Sequence, residues 1–249
     1  MGSFEIGRTF GRTGSLVAST WRSVSIFLLL IQLLNYGASF AIVAAFGATA
    51  GFNNPMAMVS ASTIGFAFVY LLSTAAGLAG ATSGLLKADR GEAATIGDCF
   101  ATGAQMCFPV LGLLILWFLG IYLGFILFIV PGCILLAMWC VSVPVLMAED
   151  TGVIGAFGRS RALTKGSRGK IFLVLFLAVI MAYVFAITGV FVFSDVIASS
   201  AGSLVVSLAM IILLILLGIL FSLVIQAMLV AIYRELLDQK GERMSSVFD

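Results

Sequence analysis

An uncharged apolar stretch of this 249-residue chain runs from Met106 to Ala148, and it constrains the fold more than any other feature. It holds 43 residues without a single Asp, Glu, Lys or Arg. A helix crosses the hydrocarbon core of a bilayer in roughly 20 residues, so this stretch is about twice too long for one crossing. It therefore predicts a hairpin of two membrane-spanning helices, with the turn at Val130, Pro131 and Gly132, because Pro and Gly interrupt helices.

Apolar runs of similar length occur along the rest of the chain. Apolar residues make up 62% of the sequence and charged residues 10%, whereas a soluble protein carries about 25% charged residues. This composition excludes a water-soluble globular enzyme. It predicts an all-α fold: one polytopic membrane domain over residues 1–249, with six transmembrane helices and short amphipathic helices outside the membrane. The predicted spans are residues 24–48, 57–86, 106–128, 132–148, 171–194 and 203–232.

The positive charges of the chain all fall on one side of this predicted topology. Thirteen Lys and Arg residues are present, and each lies in one of the four segments that six spans place on the same face. Those segments are residues 1–23, 87–105, 149–170 and 233–249. By the positive-inside rule this face is cytoplasmic, and both termini are predicted to lie there. Arginines before the first span also fit a signal peptide, but an apolar run of about 24 residues exceeds the usual 7–15, so we predict that the span is retained.

The sequence offers little material for catalysis. It has no histidine, which excludes mechanisms that use an imidazole as a base or a metal ligand. The four cysteines form no CxxC pair and are predicted to be small buried hydrophobic residues. We therefore predict no catalytic residue, no cofactor and no metal site.

Polar side chains within the predicted spans are few, and none is ionisable near mid-membrane. This argues against proton-coupled transport, while sodium sites built from carbonyls and hydroxyls remain open. Gln32, Asn35 and Gln226 are predicted to form interhelical hydrogen bonds rather than a substrate site. The polar residues predicted at depth are Gln32, Asn35, Ser142, Thr188, Ser207, Ser222 and Gln226.

Pairs of glycines four residues apart occur in several spans. They predict close helix packing, and the alternative is a thin wall beside a lipid or substrate groove. The pairs are Gly47/Gly51, Gly80/Gly84 and Gly120/Gly124.

Segment 149–170 is predicted to contain a short helix in the headgroup layer, from an N-cap at Thr151 to a C-cap at Gly166. Its predicted apolar face consists of Val153, Ile154, Phe157, Ala162 and Leu163. Its cations are candidates for contacts with lipid headgroups or a partner, at about 1 kcal/mol each. An internal pair of Glu149 with Arg159 or Arg161 is compatible with this role. The candidate contacts are Arg159, Arg161, Lys165, Arg168 and Lys170. A second short helix is predicted to start at Thr95 or at Gly97 and Asp98.

The order of residues around this segment is similar to that of a known family. Pro131 and Gly132, then Trp139, Pro144, Glu149 and Gly152, then RSRALTKG ending at Gly166, resemble the membrane domain of bacterial glycerophosphoryl diester phosphodiesterases. The related stand-alone YciC-like six-helix inner-membrane proteins share the pattern. The resemblance implies a bacterial inner-membrane location and a link to lipids. It implies no reaction, because the phosphodiesterase's catalytic barrel, which uses His, Glu and a metal, has no counterpart here.

These observations lead to one favoured function and one alternative. The favoured function is a non-enzymatic inner-membrane protein whose basic cytoplasmic rim contacts anionic phospholipids or a partner protein, with a role in envelope or lipid homeostasis. The alternative is a transporter or export subunit for a small amphiphile. An intramembrane enzyme is disfavoured because no nucleophile–base pair is visible, and nucleic-acid binding is not expected from so few cations along one membrane face. A homo-oligomer is left open.

Overall fold

The computed structural model describes residues 5–50, 55–149, 151–199 and 204–248, and the regular structure in these ranges is helical, without strands. The described residues form nine helices. They are α1 (Ile6–Ala50), α2 (Pro55–Asp89), α3 (Ile96–Gln105), α4 (Cys107–Leu127), α5 (Ile129–Trp139), α6 (Ser142–Ala148), α7 (Gly152–Leu163), α8 (Arg168–Ser199) and α9 (Leu204–Phe248).

Six stretches of helix are long and apolar enough to cross a membrane, which confirms the predicted all-α class and the six spans. Five of them lie in α1, α2, α4, α8 and α9, and the remaining one consists of α5 and α6 together. Their bounds are Ile6–Ile42, Thr63–Asp89, Cys107–Leu127, Ile129–Ala148, Arg168–Gly189 and Ile212–Gly241. The helices α3 and α7 are the two short ones between spans.

Helix α1 is continuous from Ile6 onward, although Gly7, Gly11 and Gly14 lie in its first turns. Thr13 and Thr20 are buried there, and each hydroxyl donates to the carbonyl four residues earlier. The helix packs along α2 and α9, so tertiary contacts outweigh the low helix propensity of glycine.

The turn of the central hairpin comes earlier than predicted. Phe128 is extended, with φ −165° and ψ 155°, and α5 begins at the next residue. Pro131 therefore lies in the first turn of α5, where a missing N–H costs no helical hydrogen bond. Gly132 packs against Phe125 of α4, since a β-carbon at this position would lie 2.6 Å from the Phe125 ring.

The fourth span is broken, although the sequence analysis predicts one helix over 132–148. The interruption falls at Cys140 and Val141. Pro144 has no N–H to donate to the carbonyl of Cys140, so the helix cannot continue in regular form. Side chains satisfy the carbonyls at the break, because the Ser142 hydroxyl donates to Trp139 O at 2.8 Å and the Cys140 thiol donates to Ala137 O at 3.3 Å.

Close glycine contacts support helix packing in two of the predicted pairs. A β-carbon on Gly80 would collide with the Cys99 carbonyl and the Phe27 ring, and one on Gly120 would collide with the Trp139 ring. Both positions therefore require glycine for close approach. Gly51 of the third pair and the side chain of Ser207 lie outside the residues described.

The best-buried apolar side chains lie at one end of the bundle, where charged residues also gather. Phe27, Leu85, Leu163 and Ile232 are almost fully inaccessible there. We call this region the charged end, and its ion-paired residues are Arg12, Asp89, Glu149, Arg159, Arg234 and Asp238.

Candidate functional site

One ion-pair network at the charged end joins the first, second and last long helices. Asp89, at the end of α2, has its Oδ2 atom 2.6 Å from Arg234 Nε of α9. Arg12 of α1 lies 3.9 Å from the same carboxylate and 3.0 Å from Asp238 Oδ2 of α9. The Asp89 side chain is only 14% exposed, so water is partly excluded from it and screens its attraction to the arginines less. These pairs join residues far apart in the chain, and they were not predicted from the sequence.

A second polar cluster centres on Glu149, which follows α6. Arg159 Nε of α7 donates to Glu149 Oε2 at 2.8 Å, and the Tyr233 hydroxyl of α9 donates to Glu149 Oε1 at 3.1 Å. The internal pair therefore forms with Arg159 and not with Arg161. No local pattern identifies Tyr233 as a donor to Glu149, since the two residues are 84 positions apart along the chain. The carboxylate is held from two helices and is compensated by a cation.

Helix α7 starts where it was predicted to start and ends earlier than predicted. Thr151 occupies the N-cap position as predicted, but its side chain makes no capping hydrogen bond. The helix ends at Leu163 with Thr164 as the C-cap, instead of extending to Gly166. Gly152 and Gly166 have positive φ values of 66° and 96°, so both belong to the tight turns that flank α7.

The face of α7 that packs on protein is not the same as the predicted apolar face, which was expected to lie in the headgroup layer. Ile154 is 81% exposed and Ala162 is exposed, whereas Ser160 is fully buried. The Ser160 hydroxyl donates to Met138 O at 2.8 Å, which satisfies a carbonyl beside the break in the fourth span. This hydrogen bond allows a polar residue to face the protein interior. The helix therefore packs across the α5–α6 break, and its inner face is turned toward protein.

The remaining cations of segment 149–170 surround the turn between α7 and α8. Arg161, Lys165 and Lys170 are exposed. Arg168 Nη2 donates to Arg161 O at 3.4 Å, and Lys240 Nζ of α9 donates to Ala162 O at 2.6 Å. These two cations therefore meet carbonyls at the negative end of the α7 dipole. We call Arg161, Lys165, Arg168 and Lys170 the basic rim; Arg159, the fifth predicted candidate, is engaged by Glu149.

Helix α3 begins at Thr95 with a complete capping box. The Thr95 hydroxyl accepts from Asp98 N at 3.1 Å, and the Asp98 carboxylate accepts from the Thr95 backbone N–H at 3.2 Å. Lys87 Nζ lies 3.3 Å from the same carboxylate. The hydrogen bonds from Thr95 and then the contact with Lys87 lower the pKa of Asp98 below its ordinary value.

A polar cavity of about 290 Å³ lies between α1, α2 and α9. Gln226 is eight residues from Arg234 and Ser73 is fourteen from Lys87, which places them about 12 and 21 Å above the charged end at 1.5 Å per residue. Gln226 Nε2 donates to Ser222 Oγ of the same helix at 3.1 Å, so this contact does not join two helices as predicted. The polar side chains that line the cavity are Gln32, Asn35, Tyr70, Ser73, Thr74, Ser222 and Gln226.

The residues that carry the family resemblance take structural positions in this arrangement. The Trp139 ring packs on Phe157 of α7, with centroids 4.8 Å apart, and fills the space above Gly120. Pro144 marks the helix break, and Glu149 joins α7 to α9. No family model, no curated protein and no solved structure matches this chain. The resemblance therefore stays a prediction.

Proposed function

We propose that this chain is a non-enzymatic integral protein of the bacterial inner membrane, with a role in envelope or lipid homeostasis. In this proposal the basic rim binds anionic phospholipid headgroups. The six spans are long and apolar enough to cross a membrane, which supports an integral membrane protein. Arg161 and Lys165 of the rim are exposed and open to ligands, whereas the ion-paired residues of the charged end are engaged with one another.

The observation that carries the proposal is the separation of the cations into two groups. Arg159 has its charge compensated by Glu149, whereas Arg161 and Lys165 are exposed and have no ion pair within the described residues. Both lie at the α7–α8 turn, a few residues before α8 begins as a span. A cation near a bilayer surface attracts anionic lipid by about 1 kcal/mol. These two side chains together should therefore favour anionic lipid by about 2 kcal/mol, or roughly 30-fold.

The test is lipid selectivity in nanodiscs made from equal amounts of phosphatidylglycerol and phosphatidylcholine. Native mass spectrometry of the released protein gives the ratio of the two bound lipids. The variant Arg161→Gln/Lys165→Gln should lose most of the enrichment in phosphatidylglycerol. The control is Arg22→Gln/Arg90→Gln, which removes the same charge from two other exposed positions that have no ion pair within the described residues.

The control should keep the enrichment. An unchanged lipid ratio in the rim variant would contradict the lipid contact and would leave a partner protein or a second copy of the chain as the ligand of the rim. Equal losses in both variants would show that net charge alone determines the selectivity.

The proposal of a non-enzymatic role is supported by the state of the acidic groups. Glu149 and Asp89 each face a cation, and Asp98 serves a helix cap. A general base is positioned toward a substrate proton, whereas the hydrogen bonds and ion pairs of these three carboxylates are made to groups of the protein. We further propose that the chain belongs with the membrane domains it resembles, since the shared residues have structural positions that such a domain would retain without a catalytic barrel.

Export of a small amphiphile is a second candidate, and the polar cavity between α1, α2 and α9 is the observation that favours it. A transporter needs a binding site near the bilayer midplane, and such sites are built between helices. The test is uptake or release of a fluorescent amphiphile by proteoliposomes, compared with protein-free liposomes. Equal rates in both would contradict transport.

A further inference from the structure

The intramembrane cavity presents a buried hydrogen-bond acceptor whose donor is missing. Gln226 is only 6% exposed, and its Oε1 atom has no hydrogen-bond partner, because the amide uses Nε2 for Ser222. An unsatisfied buried acceptor costs about 1–3 kcal/mol, so this position favours a ligand that donates a hydrogen bond. Ser73 also lines the cavity, and its hydroxyl proton is directed to Val69 O at 2.7 Å, so its oxygen keeps lone pairs that can accept a second hydrogen bond.

The lining of the cavity excludes a charged ligand. None of the described residues that line it carries a charge at neutral pH; its polar groups are amides and hydroxyls. A charged group at this depth would have to be desolvated without a counter-charge, which costs several kcal/mol. Carboxylates and cations are found about 12 Å or more away, at the charged end.

The size and the opening of the cavity favour a headgroup with its chain in the bilayer. A volume of about 290 Å³ corresponds to roughly ten water molecules at about 30 Å³ each. Tyr70, Thr74 and Gly218 line the cavity and are exposed, so it is open on the side of the bundle that these residues face. At mid-membrane depth this side is bordered by lipid, which gives a lipid-soluble ligand direct access.

We infer that the cavity binds the uncharged, hydroxyl-bearing headgroup of a single-chain or double-chain amphiphile, which donates hydrogen bonds to Gln226 Oε1 and Ser73 Oγ. This inference deepens the second proposed function by naming the class of substrate, and it rests on that function for its physiological role. Binding itself needs only the cavity, so binding and transport can fail separately.

The experiment compares three ligands that share one oleoyl chain. They are 1-oleoylglycerol, with two hydroxyl donors and no charge; methyl oleate, with no donor; and oleoyl lysophosphatidate, which is anionic. Native mass spectrometry of the detergent-solubilised full chain gives the affinity for each ligand. The test variant is Gln226→Leu, which removes the unpartnered acceptor. The control is Gln239→Leu, because Gln239 lies on the same helix, is 7% exposed and also has a buried amide atom without a partner, but does not line the cavity.

The wild type should bind 1-oleoylglycerol at least tenfold more tightly than methyl oleate, and Gln226→Leu should weaken 1-oleoylglycerol about tenfold. Gln239→Leu should bind as the wild type does. Lysophosphatidate can also bind the basic rim. Its binding at the cavity is therefore measured as the difference in lysophosphatidate binding between the wild type and Gln226→Leu. This difference should be zero. Gln226→Leu removes the unsatisfied oxygen and also the hydrogen bond to Ser222, and these two effects oppose each other, so its thermal unfolding should stay close to that of the wild type.

Equal binding of 1-oleoylglycerol and methyl oleate would overturn the inference, as would unchanged binding in Gln226→Leu or a loss of lysophosphatidate binding in that variant. Selective binding without movement of the ligand in proteoliposomes would contradict export and leave the binding site standing. Movement of amphiphiles without selectivity for hydroxyl donors would support export and refute the proposed class of ligand.

Discussion

Replacement of Asp89 by Asn tests the ion-pair network that joins α1, α2 and α9. The Asp89 carboxylate is 14% exposed and the Arg234 side chain 24%, and their closest atoms are 2.6 Å apart. Loss of one partner of a fully buried pair costs about 3–5 kcal/mol, and exposed pairs are worth about 0–1 kcal/mol. The Arg234 Nε–H makes no hydrogen bond of good geometry, so the contact acts through charge. We expect Asp89→Asn to lower the free energy of unfolding by about 2 kcal/mol.

The assay is unfolding of the purified protein in mixed micelles, followed by circular dichroism. A double-mutant cycle with Arg234→Gln isolates the pair, and it should give a coupling energy of about 1–2 kcal/mol. Glu92→Gln is the control, because Glu92 is an exposed carboxylate three residues further along the chain. If Asp89→Asn were as stable as Glu92→Gln, the network would not hold the three helices together, and the reasoning from burial would be refuted.

Two further substitutions test local packing and capping. Gly120→Ala places a methyl group into the Trp139 ring and should destabilise the fold by about 1–3 kcal/mol, whereas Gly112→Ala on the same helix meets open space and should be neutral in the same unfolding assay. The pKa of Asp98 is lowered in the folded state, so its contribution to stability is present above about pH 4 and is lost as the pH falls further. Asp98→Asn should remove that pH dependence from a thermal unfolding series between pH 7 and pH 3, and an unchanged slope would contradict the role of the capping box.

The number of spans could be predicted from the sequence because it depends on how many apolar residues each run contains, and not on any single contact. A count of apolar residues per run gives the six spans, since every backbone polar group in lipid must be satisfied within a helix. The start of α3 at Thr95 could also be predicted, because a capping box needs only residues that are close in the chain.

Contacts between distant segments could not be predicted in this way. The break in the fourth span had a visible cause in Pro144, but the Ser160 hydroxyl that satisfies the Met138 carbonyl lies 22 residues away. Tyr233 reaches Glu149 across 84 residues. The apolar face of α7 was predicted from hydrophobicity, which grouped Ile154 with Leu163 and gave no weight to Ser160, a serine that is buried through its hydrogen bond.

The candidate site illustrates the same limit. The cluster of five cations was visible in the sequence, but only the structure separates Arg159, which is paired, from the exposed Arg161 and Lys165. The cavity around Gln226 forms between α1 and α2, from the first part of the chain, and α9, from the last part. The sequence showed its polar residues as separate positions. That they line one cavity depends on how the helices pack.

We predict that six spans place the basic rim on the cytoplasmic face of the membrane, and cysteine accessibility measures on which side the rim lies. Lys165→Cys, in a chain whose four native cysteines are replaced by Ala, is treated with a membrane-impermeant maleimide. We expect Lys165→Cys to be labelled in inverted inner-membrane vesicles and not in intact spheroplasts. Labelling in spheroplasts would place the rim on the periplasmic face and contradict the topology.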